Sequence, residues 1–241
     1  MIAVFSHLGL IRSHTISKEI SQSKRSDVAK FLAKTRAIRT VTSRQPRIIF
    51  ALDATASREA TWEQARLLHG ELFAAADTIS LAVQLCFYRG LTEFETSPWS
   101  TQSAALLDQM SSVHCLAGPT QINRVLSHAL DVSTPINPIR AVIFVGDSCE
   151  EAPEPLFTLA GQCSMRNVPV FVFQEGQDPQ ARAIFSRLAN LSGGAYAPFD
   201  TESADQLREL LGAVSRFAGG GRKALQRSNT KSDRILLNQL K

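Results

Sequence analysis

The feature that most constrains this chain is a short apolar run that recurs and twice ends on an aspartate. Residues 47–52 read RIIFAL and lead into Asp53; residues 139–146 read IRAVIFVG and lead into Asp147. Runs this short, rich in Ile, Val and Phe, are what a parallel strand buried on both faces requires. Each parallel strand needs a long crossover back to its neighbour, usually a helix. The sequence supplies them. Residues 61–76 place Trp62, Ala65, Leu68, Leu72 and Phe73 on one helical stripe. Further helices are predicted over 102–113, 121–131, 156–166, 179–191 and 203–218. Further strands are predicted over 80–88, 168–173 and 195–199, with a short edge strand at 92–95 after a turn at Gly90. The alternation predicts an α/β fold, a doubly wound, mostly parallel central sheet of about six strands with helices on both faces.

Charge divides the chain further. Residues 1–46 carry nine Lys/Arg against Glu19 and Asp27, a balance of +7. Residues 218–241 carry six Lys/Arg against Asp233, a balance of +5. The stretch between, 47–217, holds eleven Arg, no Lys and nineteen acidic residues, a balance of −8. The expected organisation is a basic, partly helical arm (1–46), a sheet domain (47–217) and a basic flexible tail (218–241) that starts at Gly219-Gly220-Gly221. Such arms suit an acidic partner or a nucleic acid, or are solvated tails. Neither has the aromatic interleaving of a base-stacking surface.

Several classes are excluded at this level. No apolar run approaches the roughly 18–20 residues of a membrane-spanning helix. The apolar opening, residues 2–11, is interrupted by Ser6, His7 and Gly9 and has no basic segment before it, so a cleaved secretory signal is not expected. Cys86, Cys115, Cys149 and Cys163 have neither zinc-site spacing nor the density of a disulfide scaffold. A reducing, cytoplasmic location is the expectation. No Gly-x-Gly-x-x-Gly or Walker A loop follows a strand.

In doubly wound sheets the ligand site lies outside the carboxyl ends of the strands. Three segments fall there: Asp53-Ala-Thr55-Ala-Ser57, Gly118-Pro119-Thr120, and Asp147-Ser-Cys-Glu150-Glu151. One carboxylate and two hydroxyls at alternate positions can present three oxygens toward one point. With Thr120 and Asp147 they make a sparse, oxygen-only set suited to a hard cation such as Mg²⁺. No Cys/His set accompanies them, which disfavours softer metals. Read singly, the same residues are ordinary helix caps and turn formers.

The order Asp53-x-Thr55-x-Ser57, then Thr120, then Asp147, each at a strand-to-helix loop, resembles the von Willebrand factor A domain family. Gly118-Pro119-Thr120-Gln121-Ile122 is similar to that family's Gly-Gly-Thr-x-Ile loop, and the 188–196 segment to the stretch before its last strand. The resemblance covers roughly residues 47–217. It implies a metal-ion-dependent adhesion site in which the Thr55, Ser57 and Thr120 hydroxyls coordinate Mg²⁺, or Mn²⁺ in its place. Asp53 and Asp147 would hold coordinating waters. Thr55 stands where serine is usual, Pro119 where glycine is common, and Ser148 where glycine is frequent; none of these deletes an oxygen. The implied function is a non-enzymatic, Mg²⁺-dependent protein-interaction module, the metal bridging to an acidic side chain of a partner protein.

The rival reading is a Mg²⁺-dependent hydrolase, a phosphatase of the haloacid dehalogenase type. It needs a second carboxylate two residues after the first, where Thr55 stands, and a lysine that 47–217 lacks. Other residues carry weaker signals. Glu150 and Glu151 belong either to the metal rim or to a solvated loop. Phe173-Gln174-Glu175-Gly176 follows another strand and contributes to the same rim. Trp99 is either a partner anchor or a plug between sheet and helix. Cys149 has no basic neighbour to lower its pKa. His69, His114 and His128 lack ligand spacing.

Overall fold

A computed structural model of the protein describes residues 45–59, 81–200 and 204–240. Six strands form one sheet: β1 (Arg47–Asp53), β2 (Ala82–Arg89), β3 (Glu93–Thr96), β4 (Ile139–Gly146), β5 (Val170–Glu175) and β6 (Tyr196–Phe199), in the order β3-β2-β1-β4-β5-β6. All neighbours pair in parallel except β3, which returns antiparallel along β2 as an edge. The described helices are α1 (Ser103–Ser111), α2 (Ile122–Val132), α3 (Pro153–Met165), α4 (Pro179–Ser192), α5 (Ala204–Ser228) and α6 (Lys231–Leu237). A 3-10 turn, Ala56–Arg58, follows β1. The predicted α/β, mostly parallel six-stranded sheet is the fold observed.

Residues alternate between the two faces of each strand, and both faces are apolar. Ile48, Phe50, Leu52, Ile143, Val145, Phe171 and Phe173 join Leu106 and Met110 of α1 and Leu207, Leu210, Leu211 and Val214 of α5. Ile49, Ala51, Val142, Phe144, Val170 and Val172 join residues of α2, α3 and α4, among them Val125, Leu126, Leu156, Phe185 and Leu188. Each buried Val, Leu, Ile, Phe or Met among them stabilises the fold by about 1.5–3 kcal/mol relative to exposure. This two-sided burial explains why the strands read as continuous apolar runs.

Strand order reverses between β1 and β4, which are direct neighbours. That places the switch point of the sheet, and hence its ligand edge, at Asp53 and Asp147.

Three expectations need comment. The basic arm up to residue 44 and the helix over 61–76, with His69, lie outside the described residues. Helix α3 starts at Pro153, three residues before the predicted 156, because a proline in the first helical turn has no amide that the helix needs. The tail over 218–241 is not the flexible segment expected from its glycines. Helix α5 bends at Gly221, whose φ of 63° and ψ of −161° are open to a residue without a Cβ, and resumes as far as Ser228. Helix α6 follows, and Leu225, Leu236 and Leu240 are buried in the first apolar cluster. A capping box at Thr230 and Asp233 starts α6. Arg216 of α5 then clamps Asp233 with Nη2–Oδ1 at 2.7 Å.

Candidate metal site

Asp53 ends β1 and is fully buried. Its oxygens are already assigned: Thr55 N donates to Oδ1 at 2.8 Å and the Tyr88 hydroxyl to Oδ2 at 3.0 Å. Burial pushes the Asp53 carboxyl pKa up; the bonds from Thr55 and the nearby Arg58 charge oppose that shift, and the Asp147 charge adds to it. Like charges at one edge of the sheet favour a nearby cation. The chain turns after Asp53, and the hydroxyls of Thr55 and Ser57 come to 3.1 Å from each other. Thr55 is buried and Ser57 exposed, so the pair runs from the floor of the edge to its surface.

Asp147 follows β4 and is half-buried. The residue before it, Gly146, packs closely on the first strand end: a Cβ there would lie 3.5 Å from the Asp53 Cβ and 2.7 Å from the Phe144 ring. The Ser148 hydroxyl lies 3.1 Å from Glu150 Oε1 and turns the loop toward Thr120.

Thr120 is buried and joined to this loop twice. Its hydroxyl accepts from Glu150 N at 3.2 Å, and its own amide donates to Glu150 Oε2 at 3.0 Å. Glu151 then caps α2, accepting from Ile122 N and, at 3.0 Å, from Asn123 N. A carboxylate at a helix amino terminus satisfies orphan amides and the helix dipole together. The two glutamates therefore hold the Thr120 loop in place.

A third set of bonds joins the β1 loop to the 114–118 segment. Ala54 N donates to Tyr88 O at 3.0 Å, Leu116 N to Ala54 O at 3.0 Å, and Gly90 N to Leu116 O at 3.1 Å. Gly118 packs on this seam so closely that a Cβ would lie 2.0 Å from the Gly90 carbonyl oxygen.

Below the site lies a residue that the sequence did not mark. Arg58, at the end of the turn, is 1% exposed. Its Nε and Nη2 reach Glu175 Oε2 at 2.9 and 2.7 Å, and its Nη1 donates to the carbonyls of Asp53 at 3.2 Å and Val145 at 3.3 Å. No local sequence signal marked it, because its partner Glu175 lies 117 residues away. Glu175, expected on the rim, is instead the buried counter-ion.

The remaining residues take structural roles. Cys149 is buried and its thiol is pushed up to about 11, chiefly by burial, so it is unreactive. Trp99 is half-buried against the second apolar cluster, with Arg47 stacked 5.0 Å over its ring, which favours the plug over the anchor. His128 pairs with Gln84 through Nε2–Oε1 at 2.8 Å.

The candidate donor set expected from the sequence, Asp53, Thr55, Ser57, Thr120 and Asp147, has two carboxylates and three hydroxyls on three segments joined by the bonds above. That set fits a hard divalent cation that keeps some of its waters. Among the described residues no group of three or more His, Cys, Asp or Glu side chains is gathered to hold a metal ion.

No protein-family model matches the chain, and no curated protein is significantly similar to it. Solved structures are similar in fold. The VWA domain of SpRpn10 superposes with a TM-score of 0.54 at 11% identity, covering 71% of this chain and 94% of that one. The conserved hypothetical protein BatB from Bacteroides thetaiotaomicron gives 0.53 at 18% identity, covering 68% and 98%. Proximal thread matrix protein 1 from the mussel byssus, in a structure with a zinc-occupied MIDAS motif, gives 0.54 at 12% identity, covering 72% of this chain and 46% of that one. The fold is thus von Willebrand A-like.

Proposed function

We propose that this chain is a protein-interaction module in which Asp53, Thr55, Ser57, Thr120 and Asp147 hold Mg²⁺ at the switch point of the sheet. When bound, the ion supplies an open coordination position for a carboxylate oxygen of a partner protein. Thr55, Ser57 and Thr120 offer neutral oxygens, while Asp53 and Asp147 orient water and balance charge. A set with only two carboxylates leaves the cation attractive to a third, external one. The observation that supports this reading is that β1 and β4, which end at the switch point of the sheet, lead into Asp53 and Asp147, with the Thr55 and Ser57 hydroxyls 3.1 Å apart just after Asp53.

A hydrolytic role has less support, because Thr55 takes the place of an acid/base carboxylate and residues 47–217 contain no lysine to neutralise a phosphoryl group. The four cysteines are free thiols, in keeping with a reducing, intracellular setting. No described helix is long and apolar enough to cross a membrane. The basic segments at either end, residues 1–46 and 218–241, add a surface for an acidic partner or a nucleic acid.

The test is affinity capture from source cells with the wild-type chain and Asp147→Ala, each in Mg²⁺ and in EDTA. The reading predicts a partner held only by the wild type in Mg²⁺. A partner retained equally in EDTA places the interface elsewhere. Robust Mg²⁺-dependent turnover of a generic phosphate ester, lost in Asp53→Asn, would replace the module with an enzyme.

A further inference from the structure

We propose that Arg58 is a positioning residue of the metal site, a buried guanidinium that fixes the separation of the Asp53 and Asp147 loops before any cation arrives. The inference rests on the metal reading above and concerns a residue outside the proposed ligand set. Its geometry is specific. One side chain reaches the backbone of both carboxylate-bearing segments: the carbonyl of Asp53 itself, at 3.2 Å, and that of Val145, two residues before Asp147, at 3.3 Å. The remaining edge of the fork is locked on Glu175 Oε2 at 2.7–2.9 Å, from the neighbouring strand β5. Arg58 thereby ties β1, β4 and β5 together at their carboxyl ends.

Arginine suits this task because its planar fork offers donors in fixed directions; a lysine is a point charge on a flexible stem. The position is unusual for so large a charge, since Arg58 is among the largest fully buried side chains of the protein. Solvation alone would expel it to the adjacent surface, where Ser57 and Glu59 are exposed. The carbonyls it holds belong to the ends of β1 and β4, the strands that lead into the proposed ligands. Its permanent charge also offsets repulsion between the Asp53 and Asp147 carboxylates in the metal-free protein. A cation site built this way is preorganised, and loss of a supporting contact in metal sites weakens affinity by about 10–100-fold.

The experiment compares Mg²⁺ binding by calorimetry in the full chain, in Arg58→Lys, in Glu175→Gln and in the double variant Arg58→Met/Glu175→Met. The double variant removes both buried charges at once, a change that proteins often tolerate without loss of stability. Folding is checked by circular dichroism, and amide exchange at Thr55 and Leu116 is followed without metal. The expected result is Mg²⁺ affinity at least about tenfold weaker in folded Arg58→Lys and in the double variant, with faster exchange at both amides. Should Arg58→Lys fold poorly, its thermal shift on adding Mg²⁺ must be smaller than that of the wild type. Affinity within about twofold of wild type in either folded variant, or tighter binding once the buried cation is gone, overturns the positioning role and leaves the metal site standing. A wild-type chain that takes up no Mg²⁺ overturns both.

Discussion

The Tyr88 hydroxyl donates to Asp53 Oδ2 at 3.0 Å from the neighbouring strand, so the innermost carboxylate of the site is held by a residue of β2. Both partners are fully buried, and the Tyr88 ring stacks with Phe144 at 6.4 Å between centroids. Tyr88→Phe keeps the ring and deletes one donor to a buried carboxylate. The expected cost is about 1–3 kcal/mol in urea unfolding without metal. Added Mg²⁺ is expected to recover part of it, by neutralising the carboxylate left underbonded.

Gly118 and Gly161 make a paired test of close packing. A Cβ at Gly118 would lie 2.0 Å from the Gly90 carbonyl oxygen, whereas one at Gly161, inside α3, meets nothing within 4 Å. Gly118→Ala is expected to destabilise by roughly 1–3 kcal/mol and to disturb the seam between Ala54 and Leu116. Gly161→Ala is expected to stabilise by about 0.5–1 kcal/mol through helix propensity. Thermal melts of the two variants against wild type read both signs.

Glu151 connects the Asp147 loop to the start of α2 through its bonds to Ile122 N and Asn123 N. Glu151→Ala leaves two amides at a helix start without a protein partner and removes the favourable charge at that end. A loss of about 1–2 kcal/mol is expected. Chemical shifts of Thr120 and Asn123 should move more than those at the far end of α2.

Asp233 gives a pH signature. Burial pushes its carboxyl up, but the Thr230 amide and the Arg216 guanidinium bind the charged form more strongly, so its pKa is lowered overall. A lowered carboxylate contributes stability that is present above its unfolded value, about 3.9, and lost as pH falls through the lower folded value. The docking of α6 should therefore weaken in acid below about pH 4. In Asp233→Asn that acid-dependent loss should disappear, with α6 already less protected from amide exchange at neutral pH.

Much of this architecture is legible in the sequence because burial on both faces leaves a direct mark. The runs at 47–52 and 139–146 can only be satisfied by a central strand, and the aspartates after them then fall at the ligand edge. The candidate ligands were singled out for a related reason: Asp53, Thr55, Ser57 and Asp147 end or follow strands β1 and β4, and Thr120 stands just before α2. Arg58 was not, because its partner Glu175 is 117 residues away and an arginine in a loop ordinarily reads as solvated. The C-terminal helices were hidden by Gly219-Gly220-Gly221, which has the composition of a linker. What decides the outcome there is a long-range fact, the burial of Leu225, Leu236 and Leu240 against the sheet. Glu150 and Glu151 read either as part of a metal rim or as a solvated loop, and neither reading anticipates their bonds to the Thr120 segment and the start of α2.

The most direct test of the central claim is Mg²⁺ titration of the full chain by calorimetry, beside Thr120→Val and Asp147→Ala. The account predicts one ion per chain in the wild type, with binding lost or strongly weakened in both variants while their circular dichroism remains that of the folded protein. Absence of Mg²⁺ binding in the wild type, or equal binding in all three, would contradict it.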